Sequence, residues 1–180
     1  GMLFISVQLL FPHFQAFGRD RWGTDDEHFH LMLWVIAQNA SVGAFSWIFG
    51  VIADRCGNRI AIRIQVFLST LTPLIALFLT SDYVEHGLKF YWVAFVFLGL
   101  VPVTMKTIIN YTLELTDPAN HPRYVSTMSL CFAIPFVLSP LVGLLMDYVG
   151  FESLFYAIAG IILLSGALTF RMSEPRQRSL

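Results

Sequence analysis

Apolar runs with few or no charges recur along the chain, each closed by a short connection rich in charged and turn-forming residues. A helix that crosses a hydrocarbon layer of about 30 Å needs roughly 20 mostly apolar residues. By that measure the sequence predicts six spans, over residues 2–17, 29–53, 64–80, 90–113, 124–146 and 151–170. The first is short and is broken by Pro12 and His13, and the fourth holds a single charge, Lys106. Inside a bilayer every backbone polar group has to be paired within the chain, so continuous helices are the expected form of these runs. The fold class that follows is an all-α integral membrane protein with six transmembrane helices, forming one domain over 1–172 with a tail at 173–180.

Composition points the same way. The 180 residues are 56% hydrophobic and only 13% charged. A water-facing surface needs about twice that charge fraction. Seventeen Phe and four Trp would be hard to hide in one small aqueous core, whereas lipid lets them face outward. A net charge of −1 gives no electrostatic footprint for nucleic acid. Cys56 and Cys131 lie far apart, and both read as free thiols. No cofactor and no metal site is expected. Gly1 before Met2 reads as an expression scar, and the N-terminal stretch lacks the basic start and cleavage site of a signal peptide.

The connections alternate in charge. With the first end taken as cytoplasmic, that side carries Arg55, Arg59, Arg63, Arg123, Arg171, Arg176 and Arg178. The other side carries Arg19, Arg21 and Lys89 among six acidic residues. Seven basic residues against three place both termini in the cytoplasm of an inner or plasma membrane. Trp22, Trp92, Tyr83 and Tyr91 fall near span ends, where an interfacial aromatic belt would lie.

Between the second and third spans the sequence reads Gly50-Val-Ile-Ala-Asp54-Arg55-Cys-Gly57-Asn-Arg59. Gly50 would let a neighbouring helix approach, Asp54 can face a helix N-terminus, Gly57 permits a tight turn, and the arginines supply charges for pairing. This segment resembles the G-x-x-x-D-R-x-G-x-R signature of the major facilitator superfamily, which lies in the cytoplasmic loop after the second helix of a six-helix repeat. After the fourth span come Glu114, Pro118, Pro122 and Arg123, and the fifth contains Ser139-Pro140-Leu-Val-Gly143. Both segments are similar to the equivalent parts of that repeat, although the full glycine-rich antiporter signature is absent. The alternative for the Asp54–Arg59 stretch is a basic turn that obeys the charge rule and nothing more.

The resemblance implies one six-helix repeat bundle. It also implies that Glu114 pairs with Arg55 or a neighbour and latches the cytoplasmic side, and that the first and fourth helices line a central cavity. The third basic position of the motif is Ile60, and the sequence stops about ten residues after the sixth span. On those grounds the C-terminal half, the seventh to twelfth helices of a whole transporter, is the favoured assignment. The implied function is a permease that moves a small solute by alternating access, together with the missing N-terminal half or a second copy. The alternative is a non-transporting or truncated membrane protein built on the same repeat.

Candidate solute contacts follow from the cavity-lining spans. His13 and Gln15 stand beside Pro12, which opens a helix and suits a binding or hinge region. The headgroup region is the equal alternative for His13. Lys106, Asn110 and Glu114 recur at every fourth position and so share one face of the fourth span. An ionisable residue inside a span is by default a functional hypothesis. Snorkelling of Lys106 towards the surface, or a structural pairing, is the bland alternative. Gln38, Asn39 and Gln65 read as interhelical hydrogen-bond partners, and Gly43, Gly99, Gly143, Gly160 and Gly166 as close-packing positions. No hydrolase or phosphate-binding pattern occurs, so an enzyme is not expected.

Overall fold

The computed structural model describes residues 13–22 and 27–172. It is built of helices, with no strand among the described residues. In chain order they are α1 (His13–Trp22), α2 (Glu27–Cys56), α3 (Asn58–Thr80), α4 (Gly87–Phe90), α5 (Trp92–Leu98), α6 (Leu100–Glu114), α7 (His121–Val149) and α8 (Phe151–Leu168). Short 3-10 turns at Pro118–Asn120 and Thr169–Arg171 flank α7 and close α8. Five segments are long and apolar enough to cross a membrane: Phe29–Cys56, Asn58–Thr80, Gly87–Glu114, Pro118–Val149 and Phe151–Arg171. Most of the expected first span lies outside the described residues. Its last five residues belong to α1, which continues to Trp22.

The expected fourth span is one path made of three pieces, α4, α5 and α6. Pro102 has no N–H to give to the carbonyl four residues earlier, which weakens the ladder there. Gly99 N–H is shared between Phe95 O at 3.1 Å and Val96 O at 3.2 Å, a local tightening that divides α5 from α6. The spot is also crowded. A Cβ on Gly99 would stand 2.0 Å from Ser41 Oγ and 2.8 Å from Gln38 O, so α2 and this break touch backbone to backbone.

The core is organised around α3, which packs against α8, α6, α5 and α2. Its inner face is made of small and hydroxylated residues, among them Ala61, Ser69, Thr70, Thr72 and Ala76. Such side chains let helices approach closely in lipid, where apolar burial alone gives no driving force. Ser69, Thr70 and Thr80 donate their hydroxyls to the carbonyls four residues back, which keeps those groups satisfied.

Both ends of α3 take part in arginine clamps. At one end Arg21 Nε of α1 donates to Thr80 O at 3.0 Å and pairs with Asp82. At the other, Arg63 donates to Thr169 O at 3.2 Å and lies 4.7 Å from the centroid of the Phe170 ring. The last carbonyls of a helix lack internal donors and carry partial negative charge, so a guanidinium is a fitting partner for them.

Tyr91 departs from the aromatic-belt expectation. It is fully buried, and its hydroxyl donates to Phe14 O of α1 at 2.9 Å. Its ring packs edge-on against Trp22 and Trp34, while Trp34 stacks on Phe95. Trp92 and Tyr83 do stand exposed.

The two longest helices are the least covered. Only 11% of the most apolar stretch of α2 and 12% of that around α7 is buried inside the bundle, against 56% for α3. Trp47 on α2 and Leu130 and Val137 on α7 point outward.

Candidate functional site

The turn between α2 and α3 depends on Gly57, whose φ of 92° and ψ of 152° are strained for any residue with a Cβ. Gly150 makes the equivalent turn between α7 and α8. With Gly57 in place, its N–H closes α2 on Ala53 O at 2.9 Å and α3 starts at once with Asn58. Asn58 is buried, and its Nδ2 donates to Glu114 Oε1 at 2.9 Å. The start of α3 is thereby tied to the end of α6. The expected partner of Glu114 was Arg55 or a neighbour; the side chain that meets it is Asn58, three residues beyond Arg55. Asp54 and Arg55 are exposed at the end of α2, and Arg59 is half-buried on α3.

Helix α6 has two distinct faces. Val103, Thr104, Thr107 and Tyr111 are buried against the bundle, whereas Lys106, Asn110 and Glu114 are exposed. The buried face is fixed by polar contacts as well as packing. Thr107 Oγ1 donates to Val103 O at 3.0 Å and accepts from Nε2 of the fully buried Gln65 at 3.1 Å. Gln65 is therefore the interhelical partner its sequence position suggested, and its Oε1 has no hydrogen-bond partner among the described residues.

Beside the exposed face lies a cleft of about 150 Å³. Helix α2 contributes Ser46, Phe49, Gly50 and Ala53, the start of α3 contributes Asn58, and α6 contributes Val103, Lys106, Thr107 and Asn110. The motif glycine, two candidate solute contacts and the anchor of Glu114 thus converge on one site. Among the described residues Lys106 has no ion pair and no hydrogen bond. At 1.5 Å rise per residue it stands about 12 Å from the end of α6 at Glu114. Around Gly50 no atom lies within 4 Å of where a Cβ would be, so the close neighbour expected there is not among the described residues.

The other candidates are elsewhere. His13 is half-buried on α1, with Nε2 3.4 Å from Ser139 O and 3.5 Å from Ser139 Oγ. It therefore bridges α1 to α7, close to Gly143, and does not line the cleft. Gln15 is half-buried on α1, also away from the cleft. Arg123 borders a shallow cavity of about 370 Å³ with Asn120, Tyr124 and Thr127.

Sequence reasoning did not single out Ser46 or Ser139 as members of these contacts. Thr107 is one of the polar residues of the cavity-lining fourth span, and it stands at the edge of the cleft. Nothing in the sequence marks Ser46 or Ser139 as facing another helix.

No curated protein and no solved structure matches the chain. The model of the Major Facilitator Superfamily matches residues 2–180, and the chain belongs to that family of membrane transporters.

Proposed function

We propose that the chain is the C-terminal six-helix half of a secondary transporter that moves a small solute by alternating access, with the exposed face of α6 as one wall of the solute path. The observation that carries this reading is the polar stripe of Lys106, Asn110 and Glu114 on a helix whose opposite face is buried in the bundle. A charged side chain facing lipid at that depth is expensive, so an aqueous cavity is the favourable surrounding. The lost third basic position of the motif, Ile60, supports the C-terminal assignment.

The long uncovered lengths of α2 and α7 fit a second body, either the missing N-terminal half or another copy, closing the other wall. In the proposed cycle the two bodies rock about the site. The Asn58–Glu114 bond sets the shape of the motif end, which is taken as cytoplasmic, with both termini on that side.

Cysteine accessibility tests the reading. With Cys56 and Cys131 replaced, single cysteines at positions 106 and 110 should react in intact membranes with a small polar maleimide. A cysteine at Leu163, exposed on α8, should stay unreactive because lipid covers it. Equal reactivity of all three, or none at 106 and 110, would remove the cavity from α6.

A further inference from the structure

Membership of the family leaves the charge of the solute open. We propose that the cleft beside Lys106 receives the anionic group, a carboxylate, phosphonate or phosphate, of a small organic acid. This rests on reading the exposed face of α6 as a wall of the solute path.

Five polar side chains line the cleft, and two of them are already engaged. Asn58 donates to Glu114 and Thr107 to Val103. The remaining three, Ser46, Lys106 and Asn110, have no polar partner among the described residues. They offer a hydroxyl, an ammonium and an amide, all hydrogen-bond donors, and the rest of the wall carries no charge. A group accepting from all three while neutralising one positive charge is a monoanion.

Nothing else described here supplies that negative charge. The carboxylate on the same face, Glu114, is two turns away and held by Asn58. Snorkelling does not release the ammonium either, because an extended lysine stem covers only about half of the 12 Å to the end of the helix. The cleft's volume of about 150 Å³ equals about five waters, enough for an anionic head and a short stem. The rest of the solute would project into the open side.

A lipid phosphate shares this chemistry, so the experiment separates the two sources. The chain has two lysines, Lys89 and Lys106, and reductive methylation with a carbon-13 label gives one resonance for each. Lys106→Gln assigns them. In neutral detergent the full chain is titrated with propionate, methylphosphonate and propionamide, and separately with phosphatidylglycerol or phosphatidylcholine.

The expected result is a saturable shift of the Lys106 resonance with propionate and methylphosphonate, none with propionamide, and Lys89 unmoved. Asn110→Ala and Ser46→Ala should each weaken that binding severalfold. Equal shifts from acid and amide, a shift from phosphatidylglycerol alone, or no shift at all would overturn the proposal. The cysteine labelling keeps the two readings apart. If positions 106 and 110 label while propionate does nothing, only the anion is wrong; if they fail to label, the solute path falls with it.

Discussion

Replacing Gly99 by Ala tests the close contact between α2 and the α5–α6 break, because two effects of opposite sign compete there. Gly99 has φ of −62° and ψ of −14°, which alanine adopts freely. On propensity alone the change would stabilise by up to about 1 kcal/mol. The added methyl would however stand 2.0 Å from Ser41 Oγ, 2.8 Å from Gln38 O and 3.1 Å from Val42 N. Ser41 could rotate, at the expense of its bond to Gln38 O at 2.7 Å, but the other two atoms are α2 backbone. Relief therefore requires α2 to move off α5, and overpacking of this kind costs about 1–3 kcal/mol. The clash wins. We expect a net loss of about 1–2 kcal/mol, or an apparent melting temperature lower by about 2–8 °C.

The assay is thermal unfolding in detergent followed by tryptophan fluorescence, to which Trp34 reports directly because it stacks on Phe95 of α5. Ser41→Ala should be nearly neutral. Combined with Gly99→Ala it should recover part of the loss and no more, since Gln38 O and Val42 N remain. Gly160→Ala is the control, with nothing within 4 Å of the new methyl, and should be neutral or stabilising. If Gly99→Ala melts no lower than Gly160→Ala, the backbone contact between α2 and the α5–α6 break is refuted.

Gly57→Ala should destabilise by about 1–3 kcal/mol in the same melt through backbone strain at φ 92°. Asn58→Ala and Glu114→Ala should each cost about 1 kcal/mol, and the double variant little more than either, a coupling that a double-mutant cycle reads directly. Arg63→Met should lower stability by about 1–2 kcal/mol, because it removes the guanidinium's bonds to Thr169 O and Phe170 O, leaving Thr169 O only Met172 N–H, and takes the cation from the Phe170 ring; Arg63→Lys should fall between.

Much of the architecture was legible because lipid imposes a simple rule on length and polarity. The Gly57 turn was legible too, since a helix ending and another starting within one residue needs a backbone that only glycine adopts easily. The stripe on α6 followed from fourfold spacing. What the sequence could not show is which side of α2 faces protein, because its apolar residues are spread all round and carry no periodicity. For that reason Ser46 was not recognised as part of the cleft. Tyr91 was misplaced for a related reason: near a span end an aromatic suits the interface and the core equally, and only the position of α1 decides. Arg63 was read as a loop charge, yet it lies inside α3 and its acceptors are more than a hundred residues away.

The central place of α3 has a consequence for how the chain is made. Its most extensive partner, α8, leaves the ribosome well after α3 itself. Roughly 90 residues separate the end of α3 from the turn that receives Arg63, which is about 5–18 s of synthesis at ordinary rates. The amide of Gln65 meets Thr107 once α6 is made, but the guanidinium of Arg63 lacks its acceptors through the whole interval. The newborn helix has to wait at the translocation machinery, or against α2 and lipid headgroups, until the closing helix arrives.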